Sequence, residues 1–170
     1  FAVKGRTNAY ASLAADGQFA VLSWGASTTD GVTDIYAAAS TDGGRTFAAA
    51  TRVNQVAGDA NLSGEQPPRV ALVPRTGDHP TIIVVWTAKA TAGTRLMSAR
   101  SDDAAKSFAP PMLVPGSEAA GNRGWQSIAI GRDGGVVVVW LDHRELAKNG
   151  SGSASMQHAE HQQIGPLDVV

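Results

Sequence analysis

Apolar residues along this chain occur in short runs that turn residues separate. Three of the runs are continuously apolar instead of alternating: Phe19–Trp24, Ile82–Trp86 and Val136–Leu141. Continuous runs of this length are typical of strands that are buried on both faces. A tryptophan stands at or next to the end of each run, at positions 24, 86 and 140. The pattern therefore predicts a repeated β-unit with a buried strand near its middle.

The elements around these runs recur in the same order. In the first unit a strand (10–14) and a turn at Asp16-Gly17 precede the apolar run, and two further strands (34–39 and 47–53) follow it. The second unit repeats this order over residues 69–114, and a third begins at residue 125 and stops matching after 140. Four strands per unit of roughly 60 residues are typical of a propeller blade. We expect an all-β fold, a partial β-propeller of four-stranded antiparallel blades with about two complete blades plus part of a third.

The third and fourth strands of the first unit are joined by the turn Ser40-Thr41-Asp42-Gly43-Gly44-Arg45-Thr46-Phe47. Asp-Gly between two β-rich runs is a strong hairpin signal, because glycine accepts a positive φ and aspartate bonds to nearby amides. The turn resembles the Asp-box, or bacterial neuraminidase repeat, Ser-x-Asp-x-Gly-x-Thr-Phe/Trp. The matching residues are Ser40, Asp42, Gly44, Thr46 and Phe47.

A degenerate copy at 101–108 retains Ser101, Asp103 and Phe108, with alanine in place of the glycine and Ser107 in place of the threonine. The resemblance is to the sialidase-like β-propellers, and it implies that both motifs are structural and lie away from the catalytic funnel.

The repeats divide the chain into propeller blades over residues 1–147 and a flexible or irregular C-terminal segment over 148–170. The segment shows no strand pattern, and a short helix over Ala154–Gln162 is compatible with its residues. Propellers usually close with four to eight blades, whereas this chain holds fewer than three. Either the missing part of a longer chain or homo-oligomerisation would supply the remaining blades, and we expect a longer chain.

Composition excludes several classes of function. The 170 residues are 43% apolar, their formal net charge is −1, and no cysteine is present. Without a dense Lys/Arg block, neither nucleic acid nor an anionic membrane is expected as the main partner. The longest apolar run is far too short for a membrane span. Without cysteine, disulfides and Cys-ligated zinc are excluded from this chain.

The active face of a propeller is built from the connections that enter each innermost strand and those that follow each second strand. Sialidases, by resemblance, hold the sugar carboxylate with three arginines, protonate the leaving oxygen with an aspartic acid, and use a tyrosine nucleophile paired with a glutamate. Candidate substrate-binding residues on these connections are Arg6, Arg123, Arg144 and His143. The candidate acids are Asp142 and then Glu65.

Structural alternatives exist for each candidate. Arginines on entry loops often bond loop carbonyls, and Asp142 could pair with Arg144 or cap its loop. Trp125 could stack on a sugar or pack inside its blade, and Tyr10 is expected to pack against a neighbouring blade.

The Phe-Arg-Ile-Pro segment of many sialidases is absent, and no Tyr–Glu pair can be assigned. His158-Ala159-Glu160-His161 lacks the spacing of a zinc helix, so neither a metal nor a cofactor is predicted. The resulting expectation is part of an exo-α-sialidase-like glycoside hydrolase acting on a glycan or sialoside. The alternatives are a non-catalytic propeller that binds carbohydrate or protein, and a structural repeat of a larger secreted protein. A secreted or periplasmic location is implied by the resemblance alone.

Overall fold

The computed structural model describes residues 2–143 and the backbone of residues 162–167. Its elements are all strands: β1 (Thr7–Asp16), β2 (Phe19–Ser27), β3 (Thr33–Ser40), β4 (Thr51–Arg52), β5 (Arg69–Val73), β6 (Thr81–Ala90), β7 (Gly93–Ser101), β8 (Met112–Leu113), β9 (Arg123–Ile130), β10 (Val136–Asp142) and β11 (Gln162–Leu167). In this part of the chain no helix has the length and apolar composition needed to cross a membrane.

The strands form three antiparallel sheets, which we call blades 1, 2 and 3. Blade 1 has the order β1-β2-β3-β4, blade 2 has the order β5-β6-β7-β8, and blade 3 has the order β11-β10-β9. The first strands of successive blades, β1, β5 and β9, lie next to one another. The predicted partial β-propeller, with two four-stranded blades and part of a third, is confirmed.

The three tryptophans occupy equivalent places in the blades. Trp24 pairs with Tyr36, Trp86 with Met97 and Trp140 with Gln163, in each case on the third strand of the blade. All three indoles are buried and face the same side of their sheets. The repeat that the sequence indicates is therefore a repeat of structure.

Apolar side chains pack between the blades. Val21 and Ile35 of blade 1 meet Ile82, Val84 and Trp86 of blade 2 in one buried cluster. A second cluster joins blades 2 and 3, through residues that include Val85, Leu96, Val138 and Trp140. The second strand of blade 2 thus contributes to both clusters, which explains why its sequence is apolar at every position from 82 to 86.

The fourth strands are shorter than predicted. The sequence suggests strands over 47–53 and 108–114, whereas β4 and β8 contain two residues each. Single backbone bonds continue the pairing on either side, with Ala48 N donating to Ala39 O (2.9 Å) and Val53 N to Ile35 O (2.8 Å). Proline at 110, 111 and 115 leaves the blade 2 edge without several amide donors.

The C-terminal segment also differs from the prediction, because β11 lies within residues 148–170. It pairs antiparallel with β10, from Val136↔Leu167 to Leu141↔Gln162, and is the third strand of blade 3. Its sequence, Gln-Gln-Ile-Gly-Pro-Leu, lacks the β-branched alternation that marks a strand. Arg144, His158 and His161 lie outside the described residues, as does the suggested helix except for Gln162.

Each blade has two ends, which we call the entry end and the turn end. At the entry end, the first strand begins and the second strand ends, as at Thr7 and Ser27. At the turn end are the β1–β2 turn and the 40–47 turn of blade 1, together with their counterparts in blade 2. The two motifs are at the turn end. At the entry end are the candidate site residues that the structure describes: Arg6, Glu65, Arg123, Asp142 and His143.

Candidate functional site

The first strands of blades 1 and 3 contain a β-bulge at the same place. In blade 1, Ala9 pairs with Gly25 and Ser12 with Ser23, so Tyr10 and Ala11 lie together opposite Trp24. In blade 3, Gly124 pairs with Leu141 and Ser127 with Val139, so Trp125 and Gln126 lie opposite Trp140. Bulges of this kind redirect a side chain and are frequent beside active sites.

Tyr10 and Trp125 are equivalent residues of the two bulges, and both have left-handed backbone conformations. Their φ angles are 60° and 52°. An aromatic residue rarely adopts this conformation, which costs about 1–3 kcal/mol and recurs at ligand-binding positions. Tyr10 is 42% exposed and Trp125 is 38% exposed, so within the described residues neither ring is packed inside its blade. The alternation of Tyr10 with apolar neighbours suggested packing, and the bulge is what redirects the side chain.

Blade 2 differs at this position because proline replaces the aromatic residue. Arg69 pairs with Val85, the residue before Trp86, as Ser12 and Ser127 pair with the residues before Trp24 and Trp140. Counting back from Arg69 places Pro67 at the position of Tyr10 and Trp125. The proline ring fixes φ near −65°, so blade 2 cannot repeat the left-handed bulge.

Trp125 is surrounded by polar groups at the entry end. Its indole Nε1 donates to Glu65 Oε2 (3.2 Å), on the connection that enters blade 2. Its ring lies 5.2 Å from the His143 ring, centroid to centroid, at an interplanar angle of 42°. Glu65 is exposed and His143 is half-buried. An aromatic face, a carboxylate and an imidazole thus meet at one accessible place.

Buried Gln126 fixes the backbone beneath Trp125. Its amide Nε2 donates to Pro67 O (3.1 Å), its Oε1 accepts from the Thr87 hydroxyl (3.0 Å), and its carbonyl accepts from Arg69 Nε (3.0 Å). These bonds join β9 to blade 2. The exposed indole therefore stands on a backbone that cannot shift without breaking contacts between blades.

Arg123 and Asp142 form an ion pair behind this surface. Arg123 Nε lies 3.3 Å from Asp142 Oδ2, and the two side chains are 0% and 3% exposed. Arg123 Nη1 also donates to Gly121 O (3.2 Å), and the Thr94 hydroxyl donates to the Arg123 carbonyl (2.6 Å). Such burial suits an ion pair that orients the strand ends next to His143.

Arg6 forms a separate ion pair in blade 1. Arg6 Nη1 donates to Asp34 Oδ2 (2.7 Å), and the other oxygen of Asp34 accepts from Asn54 Nδ2 (3.0 Å) and Gly58 N (2.9 Å). Burial alone would raise the pKa of Asp34. The bonds from Gly58, Asn54 and Arg6 outweigh burial and lower the pKa below its ordinary value.

The pKa of Asp59 shifts in the opposite direction, although Asp59 and Asp34 both bond to the Asn54 amide. Its Oδ1 accepts from Asn54 Nδ2 (2.8 Å). Burial, and next the negative charge of Asp34, raise the pKa of Asp59 above its ordinary value, even though the Asn54 bond and the charges of Arg95 and Lys89 act in the other direction. The sequence analysis missed Asp34 and Asp59, because no local motif links residues that are 25 positions apart.

The structure thus separates the predicted site residues into three places. Glu65 and His143 contact Trp125, Arg123 and Asp142 contact each other, and Arg6 contacts Asp34. Arg144 is not among the described residues. Nothing in the described ranges forms a group of three His, Asp or Glu side chains that could hold a metal ion.

The two motif turns lie at the opposite end of the blades. Asp42 accepts from the Ser40 hydroxyl (2.7 Å), from Thr46 N (2.9 Å) and from the Thr46 hydroxyl (2.6 Å). Asp103 makes the same three bonds with Ser101 and Ser107. The Thr46 hydroxyl, followed by the Thr46 amide, lowers the pKa of Asp42 strongly.

Gly44 N and Ala105 N donate to Ser40 Oγ (2.9 Å) and Ser101 Oγ (3.1 Å). Phe47 packs against the outer face of blade 1, and Phe108 packs against the cluster between blades 1 and 2.

An open depression of about 400 Å³ also lies at the turn end, between blades 1 and 2. Its walls are the β1–β2 and 40–47 turns of blade 1 and the β5–β6 turn of blade 2, and the Phe19 and His79 rings stack in it at 5.3 Å. None of the predicted catalytic or substrate-binding residues lines it. The depression and the candidate site residues therefore lie at opposite ends of the blades. We place the candidate site at the entry end, where the titratable and aromatic side chains meet.

The fold is similar to that of an α-L-arabinofuranosidase from Fusarium graminearum, whose structure is that of a mutant in complex with an iminosugar inhibitor. The TM-score is 0.51 at 16% identity, over 82% of this chain and 42% of that chain. An α-L-arabinanase from Penicillium chrysogenum, complexed with arabinobiose, gives a TM-score of 0.48 at 20% identity, over 73% and 36%. The chain therefore spans about two fifths of the length of these structures, and at such identities the likeness concerns the fold.

No family model matches the sequence, and no curated protein matches it.

Proposed function

We propose that the entry end is a glycan-binding site and that the chain is part of a propeller glycoside hydrolase. The observation that supports this most directly is the exposed Trp125 ring, with Glu65 on its indole N–H and His143 beside it. An aromatic face packs against the apolar C–H face of a sugar, and the adjacent carboxylate and imidazole bond its hydroxyls. Because the left-handed backbone orients the ring before ligand arrives, little ordering is needed on binding.

In this proposal Glu65 is the proton donor. Its carboxyl group is exposed beside Trp125, where it could protonate the glycosidic oxygen as the bond from that oxygen to the anomeric carbon breaks. Glycosidases generally need a second carboxylate, as nucleophile or as base for water. In the proposal further blades supply it, from a longer chain or from other copies.

Asp142, the first candidate from the sequence, has a positioning role in this proposal. Its side chain is buried against Arg123, and the next residue, His143, donates its backbone N–H to Asn122 O (2.9 Å). The ion pair would orient the ends of β9 and β10 and, through them, the imidazole. Because the Asp142 side chain is only 3% exposed, it is not placed to reach a glycosidic oxygen.

Exo-sialidase activity is the second candidate, and the complete motif at 40–47 favours it. That hypothesis assigns the substrate carboxylate to Arg6, Arg123 and Arg144. Arg6 and Arg123 already pair with Asp34 and Asp142, so binding a sialoside would require these pairs to open. A non-catalytic glycan-binding propeller is the remaining alternative.

The test is glycan binding and hydrolysis by the intact protein, with neutral aryl glycosides and an aryl sialoside as substrates. We expect hydrolysis of a neutral glycoside, a loss of about 100-fold or more in kcat for Glu65→Gln, and no loss for the matched variant Glu118→Gln. Trp125→Gly should weaken binding about threefold to tenfold, which corresponds to ~0.5–1.5 kcal/mol of aromatic contact.

Three other outcomes are informative. Release from the sialoside alone would favour the exo-sialidase hypothesis. Binding without hydrolysis would favour the non-catalytic module. Failure to bind any glycan would contradict the proposal itself.

A further inference from the structure

We propose that the entry-end site takes an oligosaccharide, with Trp125 and Tyr10 as two separate aromatic platforms and Glu65 between them. This inference rests on the proposed glycan-binding function and specifies its ligand. It starts from the equivalence of the two bulges, which give Tyr10 and Trp125 the same register opposite Trp24 and Trp140 and nearly the same φ.

The exposure of Tyr10 is not explained by its position in blade 1 alone. Trp125 has the preceding blade beside it and is bonded to Glu65 of that connection, yet 38% of the residue remains exposed. Tyr10, at the equivalent place, would keep an exposed face even with another blade in front of blade 1. Both rings are therefore expected to be accessible at the entry end.

Backbone strain at both positions favours a functional role. Within the described ranges, the only other non-glycine residues with positive φ are Ala104 and Ala105, in the degenerate turn. Glycine usually occupies the left-handed position of a bulge. One strained aromatic residue could be incidental. Two aromatic residues at equivalent bulge positions indicate that the exposed ring has a function that offsets the strain.

The spacing of the blades determines the size of the ligand. The first strand of blade 2 lies between those of blades 1 and 3, so the two platforms are on alternate blades. A ligand that contacts both rings has to pass over blade 2, which suits a chain of several sugars.

Blade 2 is suited to the middle of such a chain. Pro67 replaces the aromatic residue there, and its carbonyl is already bonded to Gln126 Nε2. Exposed Glu65 lies on the same connection, two residues before Pro67. A glycan bound by Tyr10 at one end and Trp125 at the other would pass over Glu65, where cleavage within the chain would take place.

The experiment measures affinity against chain length in the intact protein. The probes are unbranched β-1,4-gluco-, β-1,4-xylo- and α-1,5-arabino-oligosaccharides of one to six units, titrated calorimetrically. We expect affinity to rise with length and then level off in at least one series. Tyr10→Gly should remove the gain from length, a loss of about threefold to tenfold for the longest ligand, and leave the shortest unchanged. Trp125→Gly should weaken every ligand of that series.

Glycine suits the left-handed backbone, so both variants should fold, and thermal melting verifies this. Tyr10→Phe should bind like the wild type, and Leu13→Ala, at an exposed residue of the same strand, is the matched control. Length-independent binding, or long ligands unaffected by Tyr10→Gly, would overturn this inference while the glycan-binding function stands. If the wild type binds none of the probes and no other glycan, the proposed function fails with it.

Discussion

Arg123 and Asp142 are paired residues at the ends of adjacent strands, and their buried charges lie 3.3 Å apart. Removing the guanidinium would leave the Asp142 carboxylate buried without its ion-pair partner, which typically costs about 3–5 kcal/mol. We therefore expect Arg123→Leu to lower the free energy of unfolding by about that amount in urea denaturation. The control is Arg100→Leu, since the Arg100–Asp102 pair is 35% and 42% exposed and such pairs contribute about 1 kcal/mol or less. Equal losses would argue against a buried pair.

Asp34 and Asp59 share the Asn54 amide but should respond oppositely to pH. The folded-state pKa of Asp34 is lowered, so its contribution to stability is present above the unfolded value, about 3.9, and is lost as pH falls through the folded pKa. The pKa of Asp59 is raised, so its contribution is complete below about pH 3.9 and is lost as pH rises through the folded pKa.

Accordingly, Asp34→Asn should destabilise the protein more at pH 7 than at pH 3. Asp59→Asn should be relatively favourable at pH 7, because it removes a carboxylate whose charge is disfavoured. Melting temperatures of both variants between pH 3 and pH 7 check this. Parallel pH dependence of the two variants would contradict the assignment.

Asp42 should contribute to acid denaturation. Its pKa is lowered by the Thr46 hydroxyl and amide and by the Ser40 hydroxyl, so its contribution is present above about pH 3.9 and is lost at lower pH. We expect Asp42→Asn to lower the melting temperature at pH 7 and to reduce the fall between pH 4 and pH 2. Thr46→Ala, which removes the main donor, should shift the acid limb in the same direction. An unchanged acid limb in both variants would exclude this role.

Gly44→Ala isolates the cost of a left-handed backbone. Gly44 has φ +83°, and no atom lies within 4 Å of the position that a Cβ would take. The cost should therefore be conformational, about 1 kcal/mol in denaturant unfolding. In the degenerate turn, Ala104 has φ 57°, so Ala104→Gly should stabilise the protein slightly. If Gly44→Ala lowered the free energy of unfolding by several kcal/mol, the left-handed backbone alone would not explain the loss.

The repeat of the fold could be predicted because each blade has an apolar second strand. Strands β2 and β6 are buried on both faces, whereas Val137 of β10 is 36% exposed. Trp24, Trp86 and Trp140 mark these strands in the sequence. The strand Gln162–Leu167 could not be predicted, since its place depends on pairing with Val136–Leu141 and not on its own pattern.

Part of the candidate site could be predicted from the topology of the blades. Glu65 and His143 contact Trp125 because strand ends of successive blades meet at one end of the propeller. The bulges were not predictable, because an extra residue shows only as a break in a clean two-residue alternation, and the sequence of β1, TNAYASLAAD, has no such alternation. The same holds for Asn54, whose amide contacts carboxylates from distant segments.

The bulges also divide each of these first strands into two parts, one with exposed aromatic side chains and one that pairs regularly. The register is irregular only at the entry end, and pairing is regular from Ser12 and Ser127 onward. The Tyr10 and Trp125 side chains are exposed and lie outside the apolar clusters that pack the blades, so mutation can exchange either ring without repacking the interior. In the proposed glycan site, ligand preference can therefore change one residue at a time.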